Sequence, residues 1–141
     1  MPPVTPADVL AERRRLIMSG DADGFADLFT PDAVIEHPFM GPAAQLAGQD
    51  AIRENARQVM ASPLRLEEFE VAQLHQTQDP EVVVVEMRSR WTMTTTGRSA
   101  AGTSIQVLRI RDGKIALFRD YVDSAALADV MGDVLSGGMS A

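Results

Sequence analysis

Residues 107–123 read VLRIRDGKIALFRDYVD, and this stretch decides how the rest of the chain is understood. Two apolar runs meet at Asp112-Gly113, a dipeptide suited to the two-residue turn of a β-hairpin. Strand parity through the second arm puts Phe118, Asp120 and Val122 on one face and Leu117, Arg119 and Tyr121 on the other. Both faces are substantially apolar. One is expected to line a helix-covered interior and the other to meet a partner subunit. A carboxylate between Phe118 and Val122 is costly unless it is paired or wet. Asp120 can orient an imidazole, act as a base with a raised pKa, or form a salt bridge with a neighbouring arginine. Parity alone leaves the three open.

Upstream of the hairpin the period is that of strands. Residues 65–75, 82–94, 100–111 and 114–122 read as four long strands of a curved antiparallel sheet, with a bend at Gly102. On the second of these, Trp91 and Met93 share a face with Val83, Val85 and Met87. Gln106 is a polar group among Ser104, Leu108 and Ile110, placed where a ligand could use it. His75 lies beside the loop-like QTQDP and is read as a surface residue.

The first half of the chain is helical. Thr5 caps a first helix with Pro6 at its first position and Asp8 as a capping-box partner. Val9, Leu10, Leu16 and Ile17 mark its buried stripe. Asp21 caps a short second helix that Thr30-Pro31 ends, and a third helix covers roughly residues 50–60. Between them lies DAVIEHPFMG, residues 32–41, read as a strand from about Val34 to Phe39. Pro38 cannot donate to a ladder, so this strand lies at an edge or ends there. Alternation groups Ile35, His37 and Phe39 on one side and leaves Glu36 facing out or toward an interface. A half-buried histidine titrates near neutrality and can take and return a proton; equally, it can be an interior residue held by one hydrogen bond. A final helix starts at Ser124, with Leu127, Val130, Met131 and Val134 inward. Asp123 is read as a turn or helix-cap residue, and the SGGMSA tail, residues 136–141, is expected to fray.

The chain of 141 residues has a net charge of -7 and no cysteine. Disulfides and thiolate chemistry are excluded. Two histidines at unrelated positions suggest no metal site, and no phosphate loop or nucleophile elbow is present. Arg13, Arg14 and Arg15 splay around their helix and read as a solvated face, not as a nucleic-acid platform. No apolar run is long enough to span a membrane. MPPVTPADVL has neither the basic start nor the apolar core of a signal peptide, so a cytoplasmic location is expected.

Helices, one strand between helices, then a strand meander make an α+β fold. One domain covers residues 1–141, with its core at about 7–128. Three blocks, SGDADGFADLFTPDAVIEHPF, LAGQDAIREN and VLRIRDGKIALFRDYVD, resemble the nuclear transport factor 2-like superfamily in its SnoaL-like and ketosteroid-isomerase-like branch. The resemblance runs from the first helix to about Ala128. It implies a cone-shaped, strongly curved, mixed or mainly antiparallel sheet covered by N-terminal helices, a deep apolar pocket and a homodimer through the outer sheet face.

The resemblance also assigns residues. The proton-shuttling aspartate of ketosteroid isomerases, in a VEDP-like segment, falls on His37 within IEHP. Their first-helix tyrosine falls near Arg13 and their second aspartic acid near Gln106, so the steroid isomerase oxyanion hole is expected to be absent. SnoaL-like polyketide cyclases carry an acid/base aspartate after GKI, which falls on Asp120. Limonene-epoxide-hydrolase-like members use an Asp-Arg-Asp set, of which Asp120 supplies one member. The expectation is a cofactor-independent isomerase or cyclase acting on a hydrophobic, carbonyl-containing metabolite. His37 and Asp120 are its catalytic residues, and Ile35, Phe39, Trp91, Gln106, Phe118 and Val122 line the pocket. The alternatives are a non-catalytic small-molecule binding protein and water addition of the epoxide-hydrolase kind. Neither nucleic acid nor membrane is an expected partner.

Overall fold

A computed structural model describes residues 4–131. Helix α1 spans Pro6–Ser19, α2 Ala22–Asp27, α3 Gln49–Ala61 and α4 Ser124–Met131. The strands are β1 Phe29–Glu36, β2 Leu46–Ala47, β3 Leu64–Gln76, β4 Val82–Met93, β5 Ser99–Arg111 and β6 Lys114–Tyr121.

Local chemistry sets the helix ends. Thr5 Oγ1 accepts from the Asp8 amide while Asp8 Oδ2 accepts from the Thr5 amide, a reciprocal pair at 3.1 Å each that satisfies two otherwise orphaned donors. The helix stops at Gly20, whose φ of 73° is the left-handed conformation that closes helix C-termini. Asp21 Oδ1 then accepts from the Gly24 amide at 2.8 Å and starts α2. At the hairpin, Asp112 and Gly113 adopt φ of 52° and 78°, the two left-handed residues that such a turn requires. Arg111 and Lys114 pair directly across it.

The six strands form one mixed sheet in the order β2-β1-β6-β5-β4-β3. The pairings are antiparallel except β1 with β6, which is parallel. The expected strongly curved, cone-shaped sheet is corrected here. The sheet is open, with β2 and β3 at opposite edges and not hydrogen-bonded to each other. Closure requires a continuous ladder between the edges, and β2 has only two residues to offer against a 13-residue β3. Helices complete the interior instead.

The first strand also differs from its expected limits. It begins at Phe29 and ends at Glu36, so Thr30-Pro31 lies inside it. The register with β6 slips between Phe29 and Val34, where Pro31 has no amide to give to a ladder. Pro38 instead opens a short 3-10 turn, Pro38–Met40.

The inner sheet face and the helices share one core. Val9, Leu10 and Leu16 of α1 and Ile52 and Ala56 of α3 pack with Phe29, Phe69, Val83, Val85, Met87, Leu108, Ile115 and Phe118. In α4, Val130 is fully buried and Leu127 half-buried. The Met131 and Val134 side chains and the 136–141 tail lie outside what is described.

Candidate active site

Three cross-strand rows run along the inner face. Ile35, Phe118, Leu108 and Val83 stand opposite one another in the first. Asp120, Gln106 and Val85 form the second, and Ser104 and Met87 belong to the third. His37 is the residue after the last β1–β6 pair, Glu36 with Arg119, and so falls at the end of the Asp120 row.

Between these rows and the helices lies a cavity of about 480 Å³. Its wall is mainly apolar, with Phe25, Val59, Leu66, Phe69 and Trp91 around Phe118 and Val122, and Leu127 of α4 across from them. Gln106 and Asp120 supply polar groups to that wall. Volume and lining suit a small, largely hydrophobic molecule held by a few polar contacts.

Asp120 is the chemically distinctive group. Its Oδ1 is buried and has no hydrogen-bond partner. Burial raises the carboxyl above its ordinary value; His37 and Arg13, followed by the Gln106 amide, pull the other way without cancelling that rise. A carboxyl near an apolar cavity with a raised pKa is suited to exchanging protons. The adjacent Arg119 does not consume it. That arginine faces the opposite side of the sheet, where its Nε donates to Glu36 Oε2 at 2.9 Å.

His37 is half-buried at the end of β1. Its Nδ1 is 3.3 Å from the Ala44 carbonyl oxygen. A carbonyl can only accept, so Nδ1 carries a proton in this contact. The ring acts electrostatically on Asp120. The structure thus brings His37 and Asp120 together, with Asp120 on the cavity wall and His37 beside it.

Of the other residues singled out in the sequence, Trp91, Gln106, Phe118 and Val122 all line the cavity. Ile35 is packed in the core at the foot of the first row. Phe39 lies elsewhere, 69 % exposed, with its ring edge-on to Tyr121 at 5.4 Å. The break at Pro38 that ends the strand carries Phe39 away from the inner face. Asp123 caps α4, accepting from the Ala126 amide at 3.1 Å, and also reaches the cavity. His75 lies in β3, exposed, 2.6 Å from Glu86 Oε2. Among the described residues no three His, Asp or Glu side chains gather in a metal-binding group.

Arg13, too, contradicts its reading from sequence. Arg13 is not on a solvated face; it is 0 % exposed. Its guanidinium carbon lies 5.0 Å from the ring centres of both Phe69 and Phe118. Such contacts contribute about 2 kcal/mol each when desolvated. Burial lowers its pKa to about 10, against the opposing pull of Asp120, so it is still charged at neutral pH. The sequence did hold a signal. Arg13 follows Val9 by four and Leu10 by three and precedes Leu16 by three, which centres it on the buried stripe. Arg14 and Arg15 do sit on the surface, paired with Glu70 and Glu12.

The profile of the SnoaL-like domain matches residues 12–118. The chain belongs to the SnoaL-like family. It is thereby a member of the nuclear transport factor 2-like superfamily, in the branch that also holds ketosteroid-isomerase-like proteins. An uncharacterised PhzA/B-like protein of Pseudomonas aeruginosa is 32% identical over 129 residues, covering 90% of each chain. A putative isomerase from Bacillus subtilis superposes with a TM-score of 0.82 at 21% identity, over 89% of this chain and 91% of that one. An LEH-like epoxide hydrolase of M. tuberculosis superposes with a TM-score of 0.69 at 15% identity, over 94% of each. At these identities the two structures show a shared SnoaL-like architecture and leave the chemistry to the site itself.

Proposed function

We propose that this SnoaL-like protein is a cofactor-independent enzyme that moves a proton on a hydrophobic, carbonyl-containing small molecule, giving isomerisation or intramolecular cyclisation. The observation that carries this reading is Asp120: a half-buried carboxyl on the wall of an apolar cavity, with one enclosed oxygen that has no hydrogen-bond partner. As carboxylate it removes a proton from carbon adjacent to the carbonyl. His37, with its ring beside Asp120, orients the carboxylate or relays the proton back to carbon or oxygen. Trp91, Phe118 and Val122 hold the apolar body of the substrate, and Gln106 its polar end. Exclusion of water by this wall favours the transfer.

The test begins with the compound that copurifies, identified by mass spectrometry and supplied back to the protein. Asp120→Asn and His37→Ala should each lower turnover while leaving the circular dichroism spectrum native. Full activity in both variants removes the assignment. A compound that binds stoichiometrically and is returned unchanged makes the protein a non-catalytic binder.

Arg13 beside Asp120 favours a second reading. A carboxylate with a guanidinium behind it can activate water, as the epoxide-hydrolase reading requires. Product formed in H₂¹⁸O separates the two: an isomer has the substrate's mass, whereas water addition incorporates the label.

For the assembly, we propose a homodimer through the outer sheet face, where Ile105 is 46 % exposed beside Tyr121. Light scattering of Ile105→Glu tests it, with a monomer expected. No helix among the described residues is long and apolar enough to cross a membrane. We place the protein in the cytoplasm with a small molecule, and neither nucleic acid nor membrane, as its partner.

A further inference from the structure

Three observations locate the Arg13 guanidinium relative to the site. Its carbon lies 5.0 Å from the centres of both Phe69 and Phe118, and Nη2 is 3.9 Å from Met87 Sδ. Phe118 and Met87 belong to the two rows that flank the Asp120–Gln106 row. A group that touches both flanking rows faces the row between them. Arg13 Nε and Nη1 have no hydrogen-bond partner, and neither do Asp120 Oδ1 and Gln106 Oε1. Charged side chains are rarely buried without an opposite charge, and for Arg13 that charge is Asp120.

We propose that Arg13 is the positioning residue of this site, an interior counter-charge that keeps Asp120 a carboxylate inside an apolar cavity without clamping it. The two aromatic rings hold the cation in place of a carboxylate fork. A contact ion pair would occupy the carboxylate oxygens; a cation held by ring faces supplies charge without taking them up. Arg13 does not line the cavity, so it acts through Asp120. The groups acting on Asp120 are Arg13 from α1, His37 from the end of β1 and the neutral Gln106 from β5. The proposal rests on Asp120 as the proton acceptor, and its test needs no substrate.

The experiment is a ¹³C NMR titration of the Asp120 carboxyl in the wild type, Arg13→Met and Arg13→Lys. Arg13→Met should move the Asp120 midpoint up by about one pH unit or more, and Arg13→Lys should restore most of the shift. An unmoved midpoint in a natively folded Arg13→Met protein overturns the proposal, because an arginine used only for packing leaves the titration alone. Should Arg13→Met fail to fold at pH 7, the Arg13→Met/Asp120→Asn double variant decides. A counter-charge predicts that removing the carboxylate recovers the fold; a double variant that also fails to fold overturns the proposal. If the midpoint moves as expected while Asp120→Asn retains full turnover, the counter-charge stands and the reading of Asp120 as base falls.

Discussion

Two arginine–carboxylate arrangements lie on opposite faces of the same strand and differ in every physical respect. On the outer face, Arg119 and Glu36 form a contact pair at 2.9 Å with both side chains about one-third exposed, at 33% each. On the inner face, Arg13 is buried and Asp120 half-buried with its Oδ1 enclosed; they act on one another without a hydrogen bond, and polar atoms of both are unpartnered. An exposed pair has its charges solvated in either state and contributes about 0–1 kcal/mol. A pair drawn into the interior loses water, so its charges are expensive to hold there. The outer arrangement is ordinary surface chemistry. The inner one holds its charges at a cost in stability.

The largest test of that contrast is Asp120→Asn. Proton transfer by a positioned side chain contributes about 100- to 10,000-fold, so turnover should fall by at least about 100-fold. Stability should move the other way, and only at neutral pH. Below the ordinary carboxyl value of 3.8, folded and unfolded chains both hold the proton. As pH rises from there through the raised folded value, the folded chain retains the proton longer than the unfolded one. Stability is lost across that window and levels above it. Asparagine does not titrate, so the variant should melt higher than wild type at pH 7 and about equally at pH 3. Equal melting at both values would mean that the inner carboxylate costs nothing.

Phe118→Ala comes next. It empties a side chain that is 8% exposed and removes one ring from the Arg13 guanidinium. A loss of about 3–5 kcal/mol is expected from urea unfolding. Gly102→Val probes where the inner face meets α4. A Cβ there would stand 3.1 Å from Ala126 Cβ, so α4 must shift at a cost of about 1–3 kcal/mol. Because Ala126 and Leu127 line the cavity, ligand affinity should fall with it, measured by calorimetry. The smallest effect belongs to the outer pair. Glu36→Gln should change stability by less than about 1 kcal/mol and turnover not at all. A large effect there would erase the distinction between the two faces.

The legible features in the sequence share a short range. Asp112-Gly113, the Thr5/Asp8 capping box and the Asp21 cap are decided within a few residues, so their chemistry could be read directly. Parity along β6 placed Asp120 with Phe118 and Val122, and all three line one cavity. The sheet's openness was not legible, because it depends on whether two edges far apart in the chain can pair. Arg13 was read by its neighbours Arg14 and Arg15, whereas its helical spacing pointed inward. Phe39 followed strand parity that the 3-10 turn at Pro38 interrupts.

By itself, then, the sequence determined the helix caps, the hairpin, the inward face of β6 and the family, because each is written in local spacing or in contiguous blocks. Helical spacing already pointed Arg13 inward; tertiary structure alone decided what it meets there, two aromatic rings and an unclamped Asp120. That meeting depends on the rings of Phe69 and Phe118, 49 positions apart in the chain, converging on α1, and no local pattern encodes it.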